Sequence, residues 1–307
     1  MLMATSLNAS KRATRRKLET ENIQDTQVPI SPLLSPPILP PLSPPISPLM
    51  SPLMSPPSLA LLAMEFRAFW EFSALLPSWP LLQQAKSSDG HAVVVFPGLA
   101  SGDAATMPMR RYLDSLGYQT QGWSQGINFG PRAGVLAGAK DLLARAYEKS
   151  GRKVSLIGWS LGGIYARELA KELPHMVRGV ITLGTPFAGT PKSTRAWRVY
   201  QLTSGRDIHR ESDHFNLSEA PPVPTTSLFS RTDGIVAWKG SIQAASSHNP
   251  HTENIEVFAS HVGIGLNPSA WWALADRLAQ PDGLWKPFDR LGMYGLKGWL
   301  YPDPKRT

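Results

Sequence analysis

Short apolar runs alternate with stretches of helical period between His91 and Ala279. His91–Phe96 (HAVVVF) is a β-branched run that stops at Pro97-Gly98 and reads as a strand. The spacing of apolar residues predicts a helix over Pro108–Leu116, ended by Gly117, and a second strand over Tyr118–Trp123. Gly134–Lys149 is strongly amphipathic and stops at Ser150-Gly151, the residues expected just past a helix end. Lys153–Gly158 (KVSLIG) is the next strand, Leu161–Leu173 a helix closed by Pro174, and Arg178–Leu183 another strand. Pro224–Ser230 and Asn254–Ala259 complete the strands, and Pro268–Ala279 is a last helix. Unbroken apolar strands interleaved with helices of this length indicate an α/β fold. Its central sheet is mostly parallel, with helices on both faces.

The chain before this pattern differs in kind. Twelve of the 29 prolines fall between Val28 and Ser58, in an uncharged run built on S-P-x-x and S-P-P-x units. Each proline removes a donor and clashes with the preceding turn, so neither helix nor central strand can form there. An extended, polyproline-like segment is expected. Residues 1–18 carry Lys11, Arg12, Arg15, Arg16 and Lys17 and no acid. That composition resembles a transit peptide, but an ordinary disordered tail is the favoured reading. The reading is therefore of a disordered extension over residues 1–63, dispensable for catalysis, and a folded domain over residues 64–307, with Met64 a candidate start. No run of 18 apolar residues occurs, so no transmembrane helix is expected. The protein is read as cytoplasmic, with organelle targeting by residues 1–63 as the alternative.

Composition narrows the chemistry. Of 307 residues, 42% are apolar and 18% charged, enough to bury a core. The absence of cysteine excludes disulfides, thiolate metal sites and a cysteine nucleophile. The net charge of +8 is not concentrated on a basic face, so no nucleic-acid partner is expected. Residues 1–63 hold five basic and three acidic groups, which leaves +6 on the remainder. No phosphate loop or metal-ligand cluster is present. The Gly-rich string at 262–268 lacks the spacing of a dinucleotide site, so no cofactor or metal is expected.

The chemical signal lies at a strand-to-helix turn, Gly158-Trp159-Ser160-Leu161-Gly162-Gly163. A G-x-S-x-G string in this context describes a reversal so sharp that the serine backbone is strained. The flanking glycines then leave room for neighbouring strand and helix. The serine hydroxyl is lifted above the carboxyl ends of the strands, at a helix N-terminus that favours developing negative charge. The competing reading is a helix-capping serine. With these residues the sequence resembles the α/β-hydrolase superfamily, in particular its compact bacterial esterases and lipases, over roughly residues 90–280. The resemblance implies the chain order nucleophile, acid, histidine.

A serine nucleophile needs a base in reach, and the base an orienting carboxylate. Among the histidines after Ser160, only His261 lies just beyond an apolar strand, ahead of a V-G-I-G loop. His175 follows a helix end, His209 and His214 sit in a charged stretch, and His248 and His251 flank Pro250. For the acid, Asp233 ends a strand before Gly234, and it matches the D-G-x-V string that supplies the acid in the resembled family. Asp213 is the competitor, without a preceding strand. The resemblance also assigns the oxyanion donors to the Leu99 and Leu161 amides. Pro97 stands where many relatives carry histidine before the glycine.

Residues 186–223 form a long insertion between strands, where Trp197 and Tyr200 sit three apart with Arg195 and Arg198 beside them. It reads as a cap over an acyl pocket or as an amphipathic surface helix. Trp271-Trp272 and Trp285 are read as core or as contacts to a lipid interface. The function expected is hydrolysis of carboxylic esters, on a small-molecule or lipid substrate, through an acyl-enzyme. The same triad would serve acyl transfer to an alcohol. The other alternative is a binding protein that keeps the fold without catalysis.

Overall fold

Burial on both faces turns a strand's alternation into an unbroken apolar run, and the central strands show it. In the structure, a computed structural model, residues 55–188, 194, 216–244, 249–292 and 296–306 are described. Strands β1 (Ala92–Phe96), β2 (Gln119–Gly122), β3 (Val154–Trp159), β4 (Val177–Leu183), β5 (Thr225–Phe229) and β6 (Thr252–Glu256) form one sheet. Its order is β2-β1-β3-β4-β5-β6, and every pair is parallel. The inner strands β1, β3 and β5 are buried at every residue, whereas the edge strand β2 is mostly open.

Helices α1 (Leu59–Ala63), α2 (Ala68–Ser73) and α3 (Leu75–Leu82) precede β1, with a 3₁₀ turn at Met64–Arg67 between the first two. Then come α4 (Asp103–Ser115), α5 (Val135–Ser150), α6 (Leu161–Glu172), α7 (Pro268–Leu278) and α8 (Leu296–Leu300). The period of two divides the core. Val93, Val95, Ile157 and Ile181 point to the face covered by α3, α4 and α7, with Leu82, Tyr112 and Trp271 among the side chains there. Val94, Phe96, Leu156 and Val180 point to the other face, against Leu142 and Leu143 of α5 and Leu169 of α6. The expected parallel sheet with helices on both faces is thus what the residues build. Among the described residues no helix is long and apolar enough to cross a membrane.

The differences have local causes. Helix α4 begins at Asp103, five residues ahead of the proline that marked its expected start, and carries Pro108 inside. The Asp103 carboxylate accepts the amides of Trp123 (2.9 Å) and Ser124 (3.0 Å), fastening the helix start to the end of β2. Strand β6 lies two residues upstream of the expected run because Val257 and Ala259 are buried in the turn that follows. Trp271 is core, stacked on Tyr112 at 5.1 Å. Among the described residues the exposed tryptophans are Trp70, Trp79 and Trp299, which the sequence did not single out.

Helix α1 lies upstream of the expected boundary at residue 63. A Cβ on Gly234 would fall 2.3 Å from the Leu61 carbonyl oxygen, so α1 rests on the turn after Asp233. Composition hid this, since Leu59–Ala63 adjoins the proline run and has no polar face to show a period. Residues 1–54 of the expected extension lie outside the described residues, as does most of the insertion, including Trp197, Tyr200, His209, Asp213 and His214.

The β3–α6 crossing is the tightest point of the fold. A Cβ on Gly158 would fall 2.2 Å from Gly163 Cα, one on Gly162 2.3 Å from the Phe96 carbonyl oxygen, and one on Gly163 2.0 Å from Thr185 Oγ1. Two of these three collisions are with backbone, which has nowhere to go. Gly158→Ala should therefore destabilise by about 3 kcal/mol or more, read as a lowered thermal midpoint. A chain beginning at Met64 should melt lower than one beginning at Ser55, because it lacks the α1 contact. Equal midpoints would show that α1 contributes nothing.

Candidate active site

Ser160 occupies the turn between β3 and α6 with φ 52° and ψ −122°, a region that L-residues rarely enter. Its amide donates to the Leu183 carbonyl (2.8 Å) and its carbonyl accepts from Gly163 (3.0 Å), so the backbone is gripped from both sides. The side chain makes no capping bond to α6, which removes the capping-serine reading. Instead Ser160 Oγ lies 2.9 Å from His261 Nε2.

His261 sits in the turn after β6, buried, with Nδ1 2.7 Å from Asp233 Oδ2. The Asp233 Oδ1 atom accepts the amides of Ile235 (2.8 Å) and Val236 (2.7 Å), so this carboxylate is held by its own turn and aimed by it. The Trp159 indole N–H donates to the His261 carbonyl at 3.2 Å. Burial pushes the imidazole pKa down, but the Asp233 carboxylate, by charge and hydrogen bond, and the more distant Glu65 carboxylate outweigh it and raise the group above the ordinary 6.5. With Asp233 ionised, Nδ1 carries the proton and Nε2 is free to accept one from the serine.

The β1–α4 loop packs against this serine. A Cβ on Gly98 would fall 3.3 Å from Ser160 Cβ. Among the described residues neither the Leu99 nor the Leu161 amide donates to an acceptor. Leu99 follows Gly98 in this loop, and Leu161 starts α6 directly after the serine. The loop is locked by a residue that the sequence did not reveal, the fully buried Asn128. Its Nδ2 donates to the Pro97 carbonyl (2.8 Å), its amide to the Ser101 carbonyl (2.8 Å), and its carbonyl accepts the Ala100 amide (2.7 Å). Ala100 is thereby kept at φ 57°, a strained value for a residue with a Cβ. An asparagine within a polar loop carries no pattern that marks such a role.

The remaining histidines separate plainly. His175 is exposed, and His251 stacks on Trp285 at 5.3 Å. His248, like His209, His214 and the competing Asp213, lies outside the described residues.

A second set of the same three residue types stands at the opposite end of the sheet. His91 Nδ1 lies 2.5 Å from Asp89 Oδ1, and its Nε2 2.8 Å from Ser155 Oγ. Here the serine is inside β3 with ordinary extended backbone, and His91 is wholly buried. Burial holds the His91 pKa below its usual value against the Asp89 hydrogen bond, with the Arg178 charge adding to the depression. Asp89 is tied to Arg178 (2.8 Å) and Arg152 (2.5 Å). The triplet lacks a strained turn and a helix start, and it works as a structural clasp. Among the described residues no group of three metal-binding side chains occurs.

Neither a protein-family model nor a curated protein matches the sequence. Solved structures do. Lipase B of Aspergillus fumigatus superposes with a TM-score of 0.52 at 20% identity, over 64% of this chain and 54% of that one, so the chain spans about half the length of that lipase. A lipase of Bacillus licheniformis, BlEst2, matches at a TM-score of 0.47 and 16% identity, over 64% of this chain and 95% of its own. An alpha/beta superfamily hydrolase of Oenococcus oeni matches at 0.43 and 17%, over 62% and 91%. Strand order, crossings and the first of these superpositions agree: the chain has the α/β-hydrolase fold.

Proposed function

We propose that the protein is a serine hydrolase that cleaves carboxylic esters through an acyl-enzyme. The observation that carries this reading is the unbroken relay from Ser160 Oγ to His261 Nε2 (2.9 Å) and from His261 Nδ1 to Asp233 Oδ2 (2.7 Å), on a serine held in strained backbone at a helix start. Ser160 Oγ attacks the ester carbonyl while its proton passes to His261 Nε2. The new C–O bond leaves a tetrahedral oxyanion, which the Leu99 and Leu161 amides are set to receive. Collapse expels the alkoxide, and His261 returns the proton to it. Water then repeats the sequence on the acyl-enzyme, giving the acid and free serine. Asp233 fixes the imidazole tautomer and stabilises the imidazolium without taking the proton. Acyl transfer shares the first half of this scheme and differs only in the nucleophile that resolves the acyl-enzyme. The names of the similar structures, lipases and a hydrolase, accord with an ester substrate, small or lipidic.

The experiment is kinetic and covalent together. A fluorophosphonate should label the wild type at Ser160. Ser160→Ala should abolish labelling and cut turnover of a p-nitrophenyl ester by on the order of 10³-fold or more. Ser155→Ala should leave turnover unchanged, because the Asp89–His91–Ser155 triplet does not touch the site. Turnover that survives Ser160→Ala would overturn the proposal.

Acidity gives an independent check. The base must be neutral to act, and the His261 pKa is raised above 6.5. The acid limb of kcat/KM should accordingly lie above pH 6.5, with activity falling as pH drops through it. A midpoint below that value would show that the two carboxylates do not outweigh burial at His261.

A further inference from the structure

The sheet stops short of the site. The β5–β6 ladder pairs Phe229 with Glu256, and one more bond joins the Val257 amide to the Phe229 carbonyl. Asp233 and His261 both lie beyond it, on separate turns, so regular pairing does not set the distance between them. Besides the Asp233–His261 bond itself, the Ala259 amide donates to Ser230 Oγ and the Thr232 hydroxyl donates to the Ala259 carbonyl across this gap.

A third segment bridges it. Glu65, in the 3₁₀ turn before α2, presents one carboxylate to both turns. Its Oε1 accepts the amides of Gly234 (2.8 Å) and His261 (2.9 Å), and its Oε2 the amide of Val262 (2.9 Å). Arg67 repeats the span. Its Nη2 donates to the Thr232 carbonyl (2.6 Å) and hydroxyl (2.7 Å) and to the Ala259 carbonyl (2.8 Å). Glu71 accepts the Ser260 amide at 2.7 Å and pairs with Arg67 at 3.3 Å. Every backbone group from Ala259 to Val262 that these three residues reach is thus tied to the same short stretch. A Cβ on Gly263 would fall 2.2 Å from Glu71 Oε2, and one on Gly234 2.3 Å from the Leu61 oxygen, so the segment is closed down on both turns.

The geometry points to Glu65 as a positioning residue for the reaction: its carboxylate clamps the acid turn to the base turn, setting the approach of His261 to Asp233 and to Ser160. The inference rests on the esterase reading above. Amide bonds to a carboxylate are short, directional and strong, and three converge on this one. The role extends to electrostatics. The charged groups that act on the imidazole are Asp233, from the β5 side, and Glu65, from the N-terminal side; both raise its pKa. Arg67 and Glu71 sit beside Ala259 and Ser260 and compensate each other. The Gly184 turn, whose Cβ would lie 3.2 Å from His261 Nδ1, brings no charge. Glu65 touches no reacting atom, so its removal should change kcat and leave KM nearly constant.

Two variants of the full-length chain separate charge from reach. Glu65→Gln keeps the length and loses the charge and one acceptor. Glu65→Asp keeps the charge and draws the carboxylate back by one methylene. Rates are taken on a p-nitrophenyl ester and normalised to sites titrated by the fluorophosphonate, so that misfolded protein drops out. Glu65→Gln should lower kcat by about tenfold or more and move the acid limb of kcat/KM to lower pH, because a charge that favours the imidazolium is gone. Glu65→Asp should lower kcat with a smaller movement of the limb, and it decides the matter alone if the Gln variant does not fold. Unchanged kcat per titrated site with an unmoved limb would overturn the assignment and reduce Glu65 to a structural cap. The His261 imidazole titration, followed by NMR in Ser160→Ala with and without Glu65→Gln, keeps this separate from the esterase reading. A downward move there supports the clamp even in a protein that hydrolyses no ester, and an unmoved titration counts against it even in an active esterase.

Discussion

A serine at φ 52° is tolerable only where nothing else competes for the space around it, and the β3–α6 crossing is built on that constraint. Gly158, Gly162 and Gly163 are each in a position where a single added carbon would strike a neighbour. Their bareness lets α6 descend onto β3 and lets the Phe96-Pro97 backbone pass within reach of the same turn. Everything chemical depends on that closeness. The hydroxyl stands clear of the helix that follows, so it can meet an imidazole carried by a different strand. The first crossover loop arrives close enough to offer its amides.

Much of this was legible in the sequence because it is imposed by sterics that act over a few residues. The G-x-S-x-G string between an apolar strand and an amphipathic helix has few other physical meanings, and the runs HAVVVF and KVSLIG announced buried parallel strands. Asp233 and His261 were readable for a related reason: each ends or follows a strand that delivers its side chain to the same sheet edge as Ser160.

What stayed hidden depends on long-range contact. Asn128 holds the loop after β1 by bonds to Pro97, Ala100 and Ser101, yet nothing about an asparagine before Phe129 distinguishes it from any polar loop residue. Glu65 is more concealed still, lying 169 and 196 residues from the amides it binds. Its neighbours Leu61, Phe66 and Trp70 obscured the segment, since an apolar stretch next to a proline-rich run shows no amphipathic period. The converse error also exists. Asp89, His91 and Ser155 form a hydrogen-bonded triplet with the right atoms and reasonable distances, and the ordinary strand backbone of its serine, the full burial of its histidine and the lack of a helix start beside them mark it as scaffolding.

The N-terminal bridge has a bearing on how the molecule comes into being. The chain closes a loop of well over a hundred residues between Glu65 and the turn that carries His261. Contacts of such separation are slow to form, because ordering the intervening chain comes before they return any stability. During synthesis Ser160 emerges 101 residues ahead of His261. The first helices wait longest of all for their partners. The Ser160–His261–Asp233 relay is therefore a property of the assembled fold rather than of any fragment, and its closure marks the moment at which the two ends of the fold have found each other.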